Sequence, residues 1–105
     1  MPTLYRLEGK IPIVCKTLAE WSETFVTGVH LVGNTQFGNV TIITIFLGFD
    51  ANDEEGTSPH FFETTIYHGN RRRRGVRSST WEQAEMTHKN MVQKVKHKSD
   101  RGPAH

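Results

Sequence analysis

Cysteine is almost absent from this chain. A single thiol, Cys15, stands among 105 residues, so neither an internal disulfide nor a cysteine-based zinc site can form, and packing alone must hold the fold together. Long apolar runs are missing too, since nothing approaches the roughly 18 consecutive apolar residues of a membrane span. The start, Met1-Pro2-Thr3-Leu4-Tyr5-Arg6, lacks the basic-then-apolar pattern of a signal peptide. A cytoplasmic protein with no membrane partner is therefore expected. No internal repeat or Gly/Ser linker divides the sequence, and a second core would require roughly another 100 residues. One domain over residues 1–98 is expected, with 99–105 as a flexible tail.

The common signatures of chemistry are also lacking. There is no Gly-x-Ser-x-Gly turn and no His-Glu-x-x-His element, and the spacing of Gly33, Gly38 and Gly48 fits neither a P-loop nor a dinucleotide fingerprint. Six histidines are present, but His60 and His68 lie about eight residues apart on one expected strand, too far to share an ion. No metal, no cofactor and no catalytic constellation is read from the chain, and a non-enzymatic role is expected.

What the chain does have is charge, unevenly placed. The net +2 combines 3 basic and 8 acidic residues over 1–68, a net of −5, with 10 basic and 3 acidic residues over 69–105, a net of +7. Its most conspicuous run is Arg71-Arg72-Arg73-Arg74-Gly75-Val76-Arg77. Guanidinium groups form bidentate bonds to phosphate, so Arg71, Arg72, Arg73, Arg74 and Arg77 are candidate contacts to nucleic acid, a nucleotide or an acidic protein; a solvated, self-repelling loop is the alternative. Read as a loop beyond the strand ending near His68, the run would sit at the end of the sheet opposite the acidic loop Asp53-Glu54-Glu55.

The remaining pattern gives the elements. Leu4–Leu7 and Ile11–Cys15 flank a glycine turn and read as a hairpin. Thr17 and Glu20 form a capping box ahead of Leu18, Trp21, Phe25 and Val26 at helical spacing. Strands follow over Val29–Gln36, Val40–Asp50 and His60–Tyr67, with the β-branched stretch Val40–Leu47 in a central position. Ser79 with Glu82, and Thr80 with Gln83, are overlapping capping boxes that open a second helix, whose inner face carries Trp81, Ala84, His88, Met91, Val92 and Val95. The order ββαβββα describes an α+β two-layer sandwich, an antiparallel sheet of about four to five strands with two helices on one face. The other face would then expose some of Ile42, Thr44, Phe46, Phe61 and Tyr67, which makes a homodimer through that face an expectation. Asp50, Glu63 and His88 form a possible polar pocket, with His88 or an arginine as the natural partner of Glu63.

Two resemblances are carried by the residues. The helix–three strands–helix order over residues 17–97, with basic residues ahead of the last helix, is similar to the double-stranded RNA-binding domain. The last helix here opens Ser79-Thr80-Trp81-Glu82-Gln83-Ala84-Glu85, with acids where that family has lysines. The segments Phe46-Leu47-Gly48-Phe49-Asp50, Phe61-Phe62-Glu63-Thr64 and Ser79-Thr80-Trp81-Glu82-Gln83-Ala84 resemble a group of small uncharacterised phage and prophage proteins, with Ala51 and Asn52 where that group has a histidine. That resemblance implies a viral or mobile-element origin. Together with the arginine loop, the expected role is a phage-type accessory protein that binds a host macromolecule, protein or nucleic acid, partly through that loop; a phage macromolecule is a further candidate partner. The alternatives are a nucleotide-binding sponge or small hydrolase using Glu63 and His88, and a double-stranded RNA-binding module.

Overall fold

The computed structural model describes residues 3–26, 30–52, 54 and 56–101, with the side chains of Arg74 and of residues 98–101 left out of the description. Asp53 and Glu55 of the acidic loop, and the end of the expected tail, lie outside the described residues. The chain runs β1 (Tyr5–Glu8), β2 (Ile11–Val14), α1 (Leu18–Val26), β3 (Leu31–Phe37), β4 (Val40–Phe46), β5 (Phe62–His68), β6 (Arg71–Ser78) and α2 (Trp81–Arg101). The α+β architecture matches the expectation, with one strand added. β1 and β2 pair as a separate two-stranded sheet, and β3-β4-β5-β6 form an antiparallel four-stranded meander.

The added strand is the arginine run, which corrects its reading as a loop. His68-Gly69-Asn70-Arg71 turns the chain as Phe37-Gly38-Asn39-Val40 does between β3 and β4, with φ near +60° at both glycines. Two-residue turns with a positive-φ glycine match the twist of paired strands and return the chain along its neighbour. Glu63 consequently faces Arg77, and His68 faces Arg71. Two steps of β5, Thr65 to Tyr67, are matched by three steps of β6, Gly75 to Arg72, which places a bulge at Arg73–Arg74.

Alternation along the strands settles which side chains share a face. Ile42, Thr44 and Phe46 of β4 stand beside Ile66, Thr64 and Phe62 of β5, and α2 packs across this side against all four strands. Phe46 and Phe62 are fully buried, 5.5 Å apart between ring centroids, with Trp81 edge-on to Phe62 and Ala84 completing the cluster. Ile43, Ile45, Glu63, Thr65 and Tyr67 lie on the open face. Of the residues expected there, only Tyr67 is; Phe61 is buried against Tyr5 of the hairpin.

Both helix starts use the expected caps. The Glu20 N–H donates to Thr17 Oγ1, while the Glu20 carboxylate accepts from the Lys16 N–H, one residue earlier than a strict box. At α2 the Thr80 and Gln83 pair is the one formed: Gln83 N–H donates to Thr80 Oγ1, and Ser79 N–H donates to Gln83 Oε1. α2 continues to Arg101, three residues past the expected domain limit, with lysines in its last turns where the helix dipole favours them. α1 packs on β1 and lays Trp21 and Phe25 over Gly48, so the cover on the four-stranded sheet is α2.

Gly48 has φ of 83°, and a Cβ there would stand 2.5 Å from Trp21 Nε1. Gly38 has a similar φ but nothing within 4 Å. Gly38→Ala should therefore cost only about 1–2 kcal/mol for left-handed backbone strain, whereas Gly48→Ala adds a clash and should lower the thermal midpoint clearly further. Equal losses in thermal unfolding would contradict this packing.

Candidate functional site

The most constrained polar groups sit over the two edge strands, one on each face. Each edge strand carries one glycine inside it, Gly33 in β3 and Gly75 in β6, and each receives an ionisable side chain where its own would have been. Glycine weakens a strand interior, and its usual compensation is close approach by another group.

On the open face that group is Glu63. A Cβ on Gly75 would lie 3.1 Å from Glu63 Cδ, so the missing side chain lets the carboxylate lie across β6. Arg72 Nη2 donates to Oε1 at 3.0 Å and Arg77 Nε donates to Oε2 at 3.3 Å. Thr65 Oγ1 also reaches Oε1, at 3.4 Å. Arg77 extends the network by donating from Nη1 to the Ala51 carbonyl at 2.8 Å. The carboxylate is only 17% exposed and the two arginines are 56% and 46% exposed. One acid thus clamps two guanidinium groups five residues apart along β6, across the bulge, and leaves a net positive charge on this edge.

The arginines therefore span the sheet instead of gathering at one end. Arg71 lies beside His68 at the β5–β6 turn, whereas Arg77 reaches the loop that begins at Asp50. This corrects the expectation that the acidic loop and the arginine run are at opposite ends: the run doubles back along β5, which brings its last member to that loop. Among the described residues no acidic side chain is within ion-pair distance of Arg71 or Arg73, both exposed.

Asp50 has a structural task. Its Oδ1 accepts from the N–H groups of Asn52 and His60, at 2.9 and 2.8 Å, and so ties the loop shut at both ends. Inside, Asn52 donates to Thr57 Oγ1 and to the Ser58 carbonyl and accepts from the Glu54 N–H. An open groove of about 580 Å³ lies between this loop and β6, lined by Asn52, Glu54, Thr57, His60, Val76 and Arg77 among others.

His88 belongs to the other face. It is 9% exposed beneath α2, with the ring flat on Gly33, where a Cβ would come within 3.0 Å of Cε1. Nδ1 is 2.7 Å from Thr44 Oγ1, Nε2 is 2.8 Å from Thr35 Oγ1, and Thr44 Oγ1 is 2.7 Å from Thr64 Oγ1. A neutral imidazole satisfies this chain with one donor and one acceptor nitrogen, the hydroxyls rotating to suit. Burial pushes the His88 pKa below its ordinary value.

Asp50, Glu63 and His88 therefore do not share a pocket. Arg77 links Glu63 to the loop of Asp50, but Glu63 and His88 lie on opposite faces of the four-stranded sheet, so no proton passes directly between them. Among the described residues no group of three His, Cys, Asp or Glu side chains is placed to hold a metal. The Cys15 thiol is pushed up by burial and by Glu20, against the opposing effect of Arg6, which keeps it protonated and a poor nucleophile.

The chain matches no protein-family model, no curated protein and no solved structure. The clamped Glu63 and its arginine edge were only half visible in sequence: the arginines stood out, but β6 did not. The signal that could have found it is the Gly69-Asn70 pair, the same turn dipeptide as Gly38-Asn39.

The buried imidazole gives a pH dependence of definite sign. The unfolded chain protonates His88 near its ordinary pKa of about 6.5, and the folded chain resists that proton. Stability should be full above about pH 6.5 and fall as pH drops below it. Thermal midpoints measured from pH 7.5 to 5 should decline in the wild type and decline less in His88→Gln; a flat wild-type profile would contradict the burial of this ring.

Proposed function

We propose that this protein is a binding module whose partner is nucleic acid, gripped through its phosphates by the β6 edge. The observation that carries this reading is the ordered arginine strand: Arg71, Arg72, Arg73 and Arg77 are exposed along one sheet edge, and a single carboxylate offsets only two of them. A disordered arginine loop would lose conformational freedom on binding. Guanidinium groups held on a paired strand have much of that cost removed beforehand. Their planar donor forks suit phosphate oxygens.

The shape of the contact supports backbone recognition. Alternate residues of a strand are about 6.6 Å apart, so an edge strand offers a row of charge and not a concave cup for one small ligand. Gly75 keeps the Glu63 carboxylate low over the strand, which leaves the outer donors of Arg72 and Arg77 available. The separation of Glu63 from His88 weighs against a hydrolase built on that pair. The resemblance to small phage proteins adds a setting, an accessory protein acting on a host or phage macromolecule inside the cell.

Binding of this kind is electrostatic and must respond to salt. Fluorescence anisotropy with labelled DNA and RNA should show log affinity falling linearly with log salt concentration, with a slope reduced by about 1 for each arginine that is replaced. Arg71→Ala with Arg73→Ala should weaken binding while leaving the thermal midpoint near that of the wild type, because neither residue has an ion-pair partner among the described residues. Affinity that is absent at low salt, or unchanged in the double variant, would refute the reading.

A further inference from the structure

We infer that the opposite edge of the sheet, β3, is a pairing edge for a second copy of this chain. A four-stranded open sheet has two edges, and unpaired N–H and C=O groups there invite another strand unless the edge is blocked. β6 is blocked by its arginines and by the bulge at Arg73–Arg74. β3 is Leu31-Val32-Gly33-Asn34-Thr35-Gln36-Phe37, with no charged residue and no proline. Among the described residues no backbone group of the hairpin, of a loop or of a helix bonds to it from outside the sheet.

The occupant follows from the charges of the two edges. Pairing β6 with β6 sets arginines against arginines. Pairing β3 with β6 leaves a free edge at each end and builds an open filament, and it requires the arginine strand to lose its water. Pairing β3 with β3 about a two-fold axis closes the assembly after two chains and sets neutral residues together.

The register is constrained as well. A bulge lies between Leu31 and Gly33, so the regular part of the edge is Gly33–Phe37. An antiparallel ladder centred on Thr35 uses all five of these residues and keeps each side chain on its own face. Asn34 then stands opposite Gln36 of the second copy, on the open face, where two carboxamides can exchange donor and acceptor. Gly33 stands opposite Phe37, on the α2 side, where the His88 ring already covers the glycine and no side chain projects to block the pairing. The product is a continuous eight-stranded sheet with an arginine edge at each end. A dimer through the edge leaves the open face and both β6 strands accessible, so it is compatible with nucleic-acid binding and does not depend on it.

Sedimentation equilibrium on the full chain, with no nucleic acid present, tests this. The wild type should form a reversible dimer up to millimolar concentration. Asn34→Lys with Gln36→Lys should be monomeric with an unchanged circular dichroism spectrum, because both side chains are exposed and like charges would face each other twice. Mixing that variant with Asn34→Glu, Gln36→Glu should restore a heterodimer. A wild type that stays monomeric, a lysine variant that still dimerises, or a dimer broken by the open-face change Tyr67→Glu and not by the edge lysines would each overturn the inference.

Discussion

A strand with five arginines in seven positions carries a self-repulsion that opposes pairing, and a counter-charge on its neighbour relieves it. Here that is the carboxylate of Glu63, seated over Gly75 and shared by Arg72 and Arg77. Each ion pair alone is worth little, on the order of 1 kcal/mol or less, because the arginines are about half exposed and screened by solvent. The carboxylate matters more than either pair, since without it the two guanidinium groups repel each other along the strand. Glu63 thus favours the pairing of β6, β6 closes the meander, and Arg77 carries the clamp on to the loop tied by Asp50.

The opposite edge is organised by a second ionisable group in a different way. His88 joins α2 to β3, β4 and β5 by lying on Gly33 and bonding Thr35 and Thr44, the latter bonded to Thr64. Here the polar group is buried and neutral, where Glu63 is only 17% exposed and ion-paired to two half-exposed arginines. The four-stranded layer is therefore held at one edge by an ion-paired clamp with half-exposed arginines and at the other by a largely buried hydrogen-bonded chain. Aromatic packing of Phe46, Phe62 and Trp81 lies between them and supplies the apolar core.

The elements with strong local signals were legible in sequence. The capping residues Thr17 and Thr80, the turn at Gly38 and the β-branched run of β4 all fold as their chemistry dictates. β6 was not legible, because β-propensity reflects how side chains pack on a half-buried surface and arginine gives no apolar alternation to read. Its turn was written in Gly69-Asn70, but its stability depends on Glu63 eight residues before Arg71, a contact that only pairing creates. The polar trio failed for a related reason. Glu63 and Thr64 are adjacent in sequence, yet alternation sends one to the arginines and the other to the network of His88, so a pocket assembled from residue types combined the two faces of one sheet.

The claim on which the rest turns is that Glu63 keeps the arginine run paired as a strand. Amide hydrogen exchange followed residue by residue in the wild type and in Glu63→Gln tests it directly. The β6 amides bonded to β5 are expected to exchange slowly in the wild type and to become fast in the variant, while amides shared by β3 and β4 stay protected. Fast exchange throughout β6 in the wild type, or undiminished protection of β6 in Glu63→Gln, would contradict it.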